Sequence, residues 1–143
     1  MMTERLAFDT SAVVYFVERV PPYCEWLDPL FLSIERGERQ AVVSVVVEAE
    51  AMVKPLRDGN VERIRKFRDF FDGTQVTVMD LDRALARTSA AIRARLGLRL
   101  ADAIVVATAV SAKCDALIGN DSTWATRVDD IPYIHLDDAV RKA

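Results

Sequence analysis

The sequence predicts an α/β domain, a three-layer α/β/α arrangement around a five-stranded parallel sheet. Short apolar runs of strand length alternate with longer stretches of helical period along the whole chain. No hairpin signal joins any two of the runs, so their connections must cross over and leave the strands parallel. With 51% apolar residues among 143, one core can be filled, and no linker, repeat or low-complexity stretch marks a second domain.

The first strand is Leu6 to Phe8; it stops at Asp9, and a helix runs from Ser11. Asp, Thr and Ser ahead of a helix satisfy orphan N–H groups, yet strand carboxyl ends are also where open α/β sheets bind ligands. Asp9 therefore reads as a cap or as the first piece of a site. Pro21-Pro22 interrupts, and Trp26, Leu27, Leu30, Phe31 and Ile34 set a helix from Tyr23 to about Glu35, stopped by Gly37. Ala41 to Ser44 is the second strand. Behind it Val45, Ala49, Met52 and Leu56 form the inward face of a helix ending near Gly59, with Pro55 marking a kink or a frayed end.

Val61, Ile64, Phe67 and Phe71 define the apolar side of an amphipathic helix that Asp72-Gly73 breaks. Val76 to Met79 is the third strand. Leu81, Leu85, Ile92 and Leu96 then mark a long helix closed by Gly97. Leu100 to Cys114 is apolar on nearly every side and should be buried. Ala116 to Ile118 is the fourth strand, Ile131 to Leu136 the fifth, and Asp137 to Lys142 a terminal helix.

Nineteen basic residues against 22 acidic give a net charge of −3, so bulk electrostatics would not hold a nucleic acid. A polyanion would have to be met by a local basic patch or by bound cations. Cys24 and Cys114 have neither metal nor redox spacing and read as reduced thiols. No signal-peptide pattern opens the chain and no apolar run is long enough to span a membrane, so the expected location is cytoplasmic. His135 is the only histidine; it falls in a strand, PYIHL, and reads as ordinary packing rather than as the base of a nucleophile system.

Right-handed crossovers place every strand's carboxyl end on one rim. Asp9 follows the first strand, Glu48 and Glu50 the second, Asp121 the fourth, and Asp102 opens the most apolar helix. A carboxylate inside LRLADAIVVATAV needs a partner, since charges are almost never buried alone. Arg99 is one option. Several carboxylates on one rim would also repel and raise one another's pKa values, which points to a divalent cation. Magnesium and manganese favour oxygen ligands, and such an ion screens a phosphate and activates a water. Singly each acid has a plainer reading: Asp102 complements a helix dipole, and Asn120-Asp121 is a common turn pair.

Phe8-Asp9-Thr10-Ser11-Ala12, Ser44-Val45-Val46-Val47-Glu48-Ala49-Glu50, Leu100-Ala101-Asp102-Ala103-Ile104 and Asn120-Asp121 together resemble the four acidic motifs of PIN domains. The likeness is closest to the VapC-type toxins and spans nearly the whole chain. Val53-Lys54-Pro55-Leu56-Arg57-Asp58-Gly59 is similar to the continuation of the second motif. The resemblance implies a PIN-like fold and a magnesium- or manganese-dependent endoribonuclease, with Asp9, Glu50, Asp102 and Asp121 as the acidic, metal-holding site and Ser11 and Asn120 as polar support. It also implies a homodimer acting on RNA and inhibited by a cognate antitoxin.

Two departures stand out: Gly119 occupies the place where the family often has Thr, and Ser122 and Thr123 add no further acid. Glu48 and Glu50, two apart on a helix, cannot face the same way. The stripe through Val45, Ala49 and Met52 favours Glu48 on the core side; the spacing from Ser44 favours Glu50, which we take because a rim site need not face the core. The basic run Arg63, Arg65, Lys66 and Arg68 reads as a solvated helix face, and Trp26 and Trp124 as packing residues rather than base-stacking platforms. Two rival functions remain: a non-catalytic PIN-like module binding RNA or protein, and phosphoryl transfer to Asp9. The latter lacks a second Asp at Ser11 and any Gly-rich phosphate loop.

Overall fold

A computed structural model describes residues 3–143. The elements run β1 (Glu4–Phe8), α1 (Thr10–Val17), α2 (Tyr23–Glu35), β2 (Arg39–Ser44), α3 (Val45–Arg57), α4 (Val61–Asp72), β3 (Val76–Met79), α5 (Arg83–Leu96), α6 (Leu100–Ser111), β4 (Ala116–Gly119), α7 (Ser122–Arg127), β5 (Tyr133–His135) and α8 (Leu136–Lys142). All strand pairs are parallel, in the order β3-β2-β1-β4-β5. The chain therefore builds outward from β1 to β3, then returns to lay β4 on the other side of β1. With right-handed crossovers that reversal sends α5 and α6 to the opposite face from α1 to α4. Helix contacts agree, joining α1 to α2, α3 and α4, and α5 to α6.

The core follows from the same alternation. β1, β2 and β4 are buried along most of their length, and one continuous cluster links Phe8, Leu27, Val47, Phe67, Val106 and Leu117. Each fully buried aliphatic or aromatic side chain of this kind contributes about 1.5–3 kcal/mol. Phe31 stacks on Phe8 and Phe16 at centroid distances of 4.7 and 3.9 Å, closing the α2 side. On the other face α6 is buried from Ala103 to Ala109, as its unbroken apolar sequence requires. Gly97 ends α5 in the left-handed conformation, φ 69°, which a residue with a Cβ adopts only under strain.

Several elements differ from the expectations. Helix α3 buries Val47, Ala51 and Pro55, whereas Ala49 is exposed and Leu56 is 53% exposed. Three consecutive valines leave the helical phase open, and the sheet selects Val47. Pro55 lies inside the helix, which continues to Arg57. Val61, expected inward, is 78% exposed at the first turn of α4. Helix α5 begins only at Arg83, after the Asp82 cap, so Leu81 lies outside it. Helix α6 stops at Ser111 rather than Cys114. Strand β5 is the three residues Tyr133–His135, and Leu136 already belongs to α8. Helix α7, six residues long, is too short to show a periodicity and was not anticipated. Arg65 and Lys66 approach Glu62 on an exposed face, whereas Arg63 is partly buried in an ion pair with Glu18 and also meets Asp58. Both cysteines are free, and no helix among the described residues is long and apolar enough to cross a membrane.

Candidate active site

The strand order reverses between β1 and β4, and at such a switch point a crevice opens beyond the carboxyl ends. Asp9 leaves β1 there, and Gly119, Asn120 and Asp121 leave β4 beside it. Glu50 comes from the second turn of α3 and Asp102 from the first turn of α6; these two helices touch. All four predicted acids and Ser11 line one pocket of about 180 Å³, together with Thr10, Arg99, Val105 and Trp124. Glu48 does not line it. A larger hollow of about 520 Å³ between α2 and α8, walled by Pro22, Trp26, Pro29 and Leu30, gathers no cluster of acids. The predicted acids therefore gather in the smaller pocket alone.

Asp9 is both of the things its sequence context allowed. Its Oδ1 accepts the Ala12 N–H at 3.0 Å and caps α1, while the carboxylate also faces the pocket. At 6% exposure it is the most buried of the four acids. Burial pushes its pKa up to about 7, against the pull of the Ala12 and Asn120 backbone N–H groups, and the charges of Asp121 and Asp102 add to the rise. Desolvation thus outweighs the mutual repulsion that the sequence suggested as the main effect.

The other acids are held by specific partners. Thr10 Oγ1 donates to Glu50 Oε1 at 2.7 Å, which aims Glu50 into the pocket from an exposed helix face. Arg99 Nε and a terminal nitrogen donate to the two Asp102 oxygens at 3.2 and 3.4 Å. The Asp102 side chain is 14% exposed and Arg99 80%, so the pair is well hydrated on one side and weakly held. Asp121 Oδ1 accepts the Thr123 N–H at 2.8 Å and caps α7. Asn120, expected as polar support, points away: its Oδ1 accepts the Asp137 N–H at 3.0 Å and its Nδ2 donates to Tyr15 Oη at 3.1 Å. Its support reaches Asp9 through the backbone N–H. His135 ends β5, with Nδ1 3.3 Å from Asp138, and does not line the pocket.

The sequence profile described as PIN domain matches residues 6–130. The chain belongs to the PIN domain family. Solved structures with the same fold include VapBC2 from Rickettsia felis bound to a promoter DNA fragment, with 15% identity and a TM-score of 0.72 over 92% of this chain and 98% of that one. A toxin-antitoxin complex from Klebsiella pneumoniae is 20% identical, with a TM-score of 0.70 over 92% and 97%. VapC20 of Mycobacterium tuberculosis, a sarcin-ricin loop cleaving toxin, is 14% identical, with a TM-score of 0.69 over 89% and 98%. No curated protein matches the chain.

The donor set of this PIN domain suits a hard cation, being entirely oxygen. Among the described residues no three His, Cys, Asp or Glu side chains stand close enough together to hold an ion by themselves. Magnesium needs only one or two direct carboxylates and keeps water for the rest of its shell, so the pocket fits it. Trp124 also lines the pocket, and its buried Nε1 has no hydrogen-bond partner. The Thr10 hydroxyl, the Trp124 indole and Tyr133 were missed as site residues. Thr10 was visible as Asp9's neighbour, but its partner 40 residues away was not.

Proposed function

We propose that this PIN domain is a magnesium- or manganese-dependent endoribonuclease, the toxin of a type II toxin-antitoxin pair. The observation that carries the reading is the convergence of Asp9, Glu50, Asp102 and Asp121, from four separate segments, on one pocket at the switch point of the sheet. Asp9, Asp102 and Glu50 would hold the ion directly or through water, and Asp121 would complete or orient its shell. When bound, the cation supplies charge neutralisation at the phosphodiester and lowers the pKa of a water for in-line attack.

The protein's own groups set the conditions for that chemistry. Thr10 keeps Glu50 turned inward. Asp9, nearly without solvent, gains most from a positive partner, because its carboxylate is otherwise uncompensated. Arg99 is the cation at the pocket mouth and meets the phosphate as the substrate enters. No side chain in the pocket is an activated nucleophile, so hydrolysis proceeds without a covalent enzyme intermediate. The structural relatives include a toxin-antitoxin complex and a sarcin-ricin loop cleaving toxin, which supports an antitoxin partner and an RNA substrate for this chain. We include a cytoplasmic location and a homodimer in the same reading.

The test is cleavage of total RNA by purified protein. Activity should require manganese or magnesium, vanish with a chelator, and survive Glu48→Gln but not Glu50→Gln. Among the described residues no three acids stand ready to hold an ion by themselves, which favours one alternative, a non-catalytic module that binds RNA or a partner protein. Protein that binds RNA, takes up no manganese in calorimetry and leaves the RNA intact would establish that alternative.

A further inference from the structure

We infer that Tyr133 is a positioning residue of the acidic site: its hydroxyl, seated against the bare Cα of Gly119 beside the Asp9 carboxylate, fixes the Asp121 backbone at the pocket. The consequence for cleavage rests on the ribonuclease reading; the geometry does not.

Tyr133 lies on β5, outside the four acidic segments, paired with Leu117 of β4. Its ring is held at 5.8 Å from Trp124, inclined by 48°, and at 6.4 Å from His135, inclined by 20°. That packing leaves the hydroxyl one place to be. Tyr133 Oη accepts the Asp121 N–H at 2.9 Å. A Cβ at Gly119 would lie 2.8 Å from the same Oη and 2.7 Å from Asp9 Cγ, and nearer still to Asp9 Oδ2. The hydroxyl and the carboxylate thus share the space that any other side chain at 119 would fill.

A hydroxyl has one proton to give and two lone pairs to accept with. Here a lone pair takes the Asp121 N–H, and the Asp9 carboxylate, itself held by the Ala12 and Asn120 backbone N–H groups, lies beside the hydroxyl across Gly119. Groups of this outer kind orient metal-holding carboxylates, and removing one costs about 10–100-fold in metal affinity or activity.

The decisive variant is Tyr133→Phe, which keeps the ring and its packing. In the full-length protein, manganese affinity measured by calorimetry should fall about tenfold or more, and metal-dependent cleavage should fall with it. The melting temperature of the metal-free protein should change by only a few degrees, and hydrogen exchange at the Asp121 amide should accelerate. Manganese affinity equal to the parent's would overturn the inference even if exchange accelerates, because the hydroxyl would then be merely structural. If the parent itself binds no manganese and cuts no RNA, the ribonuclease reading fails. The positioning claim is then decided in the metal-free protein: faster Asp121 exchange together with a shifted Asp121 carboxyl carbon resonance supports it, and anything less overturns it.

Discussion

Asp9→Asn should abolish manganese-stimulated RNA cleavage while raising the melting temperature of the metal-free protein at pH 8. The two effects have one cause. Asp9 is 6% exposed, and its pKa in the fold is about 7 against an ordinary 3.8. Between those values the folded state holds a proton that the unfolded state has released, so stability falls as pH rises from about 4 to about 7. Above that window the full penalty is present, on the order of 4 kcal/mol. Asparagine carries no charge and keeps an oxygen for the Ala12 N–H, so it removes the penalty without losing the cap. A gain of roughly 5 °C or more is expected at pH 8, shrinking to near zero by about pH 3, where the parent carboxyl is protonated in both states. Manganese should then stabilise the parent at pH 8 and not the variant, since only the ionised carboxylate favours the ion. Loss of cleavage should reach at least about 100-fold, because even an outer-shell group costs 10–100-fold. Thermal scans at both pH values, with and without manganese, check the whole pattern.

Gly119→Ala should be nearly as damaging to activity and, unlike the first substitution, should also destabilise the fold. The added Cβ would fall 2.7 Å from Asp9 Cγ and 2.8 Å from Tyr133 Oη. No flexible chain end is there to yield: Asp9 is tied to the start of α1 and Tyr133 to Trp124. Overpacking at such a point costs about 1–3 kcal/mol. The carboxylate must swing out of the pocket or the ring must leave its place, and either change spreads the acids apart. We expect cleavage down by about 100-fold or more, with a melting temperature several degrees below the parent's. Activity near the parent's level would mean that Asp9 does its work from another position.

The glycine also shows why part of the site was hidden in the sequence. Gly119 looked like a departure from the family's usual Thr, yet the reason for it is a steric meeting of side chains from β1 and β5. Nothing local in Tyr133-Ile134-His135 marks a residue that reaches back over β4. Topology forces strand carboxyl ends together, which made Asp9 and Asp121 legible, and Glu50 and Asp102 line the same pocket from α3 and α6. Glu50 was assigned to the pocket although the helix face behind it was misread: Val45, Val46 and Val47 admit more than one phase, and the buried stripe is Val47, Ala51 and Pro55. The hydrogen bond from Thr10 fixes Glu50 in a way no periodicity encodes. Asn120 was expected as polar support, yet its side chain braces α8 and α1 rather than the pocket. Helix α7 escaped because six residues carry too little pattern, although its Asp121 cap was in plain view.

The account depends on a cation shared among these carboxylates, and anomalous diffraction from crystals soaked in manganese measures that directly. We predict one strong peak inside the pocket at direct-ligand distance, about 2.0–2.6 Å, from an Asp9 oxygen and a second carboxylate among Glu50, Asp102 and Asp121, and no such peak in Asp9→Asn crystals. A pocket without manganese in crystals of protein that cleaves RNA in its presence would contradict the account.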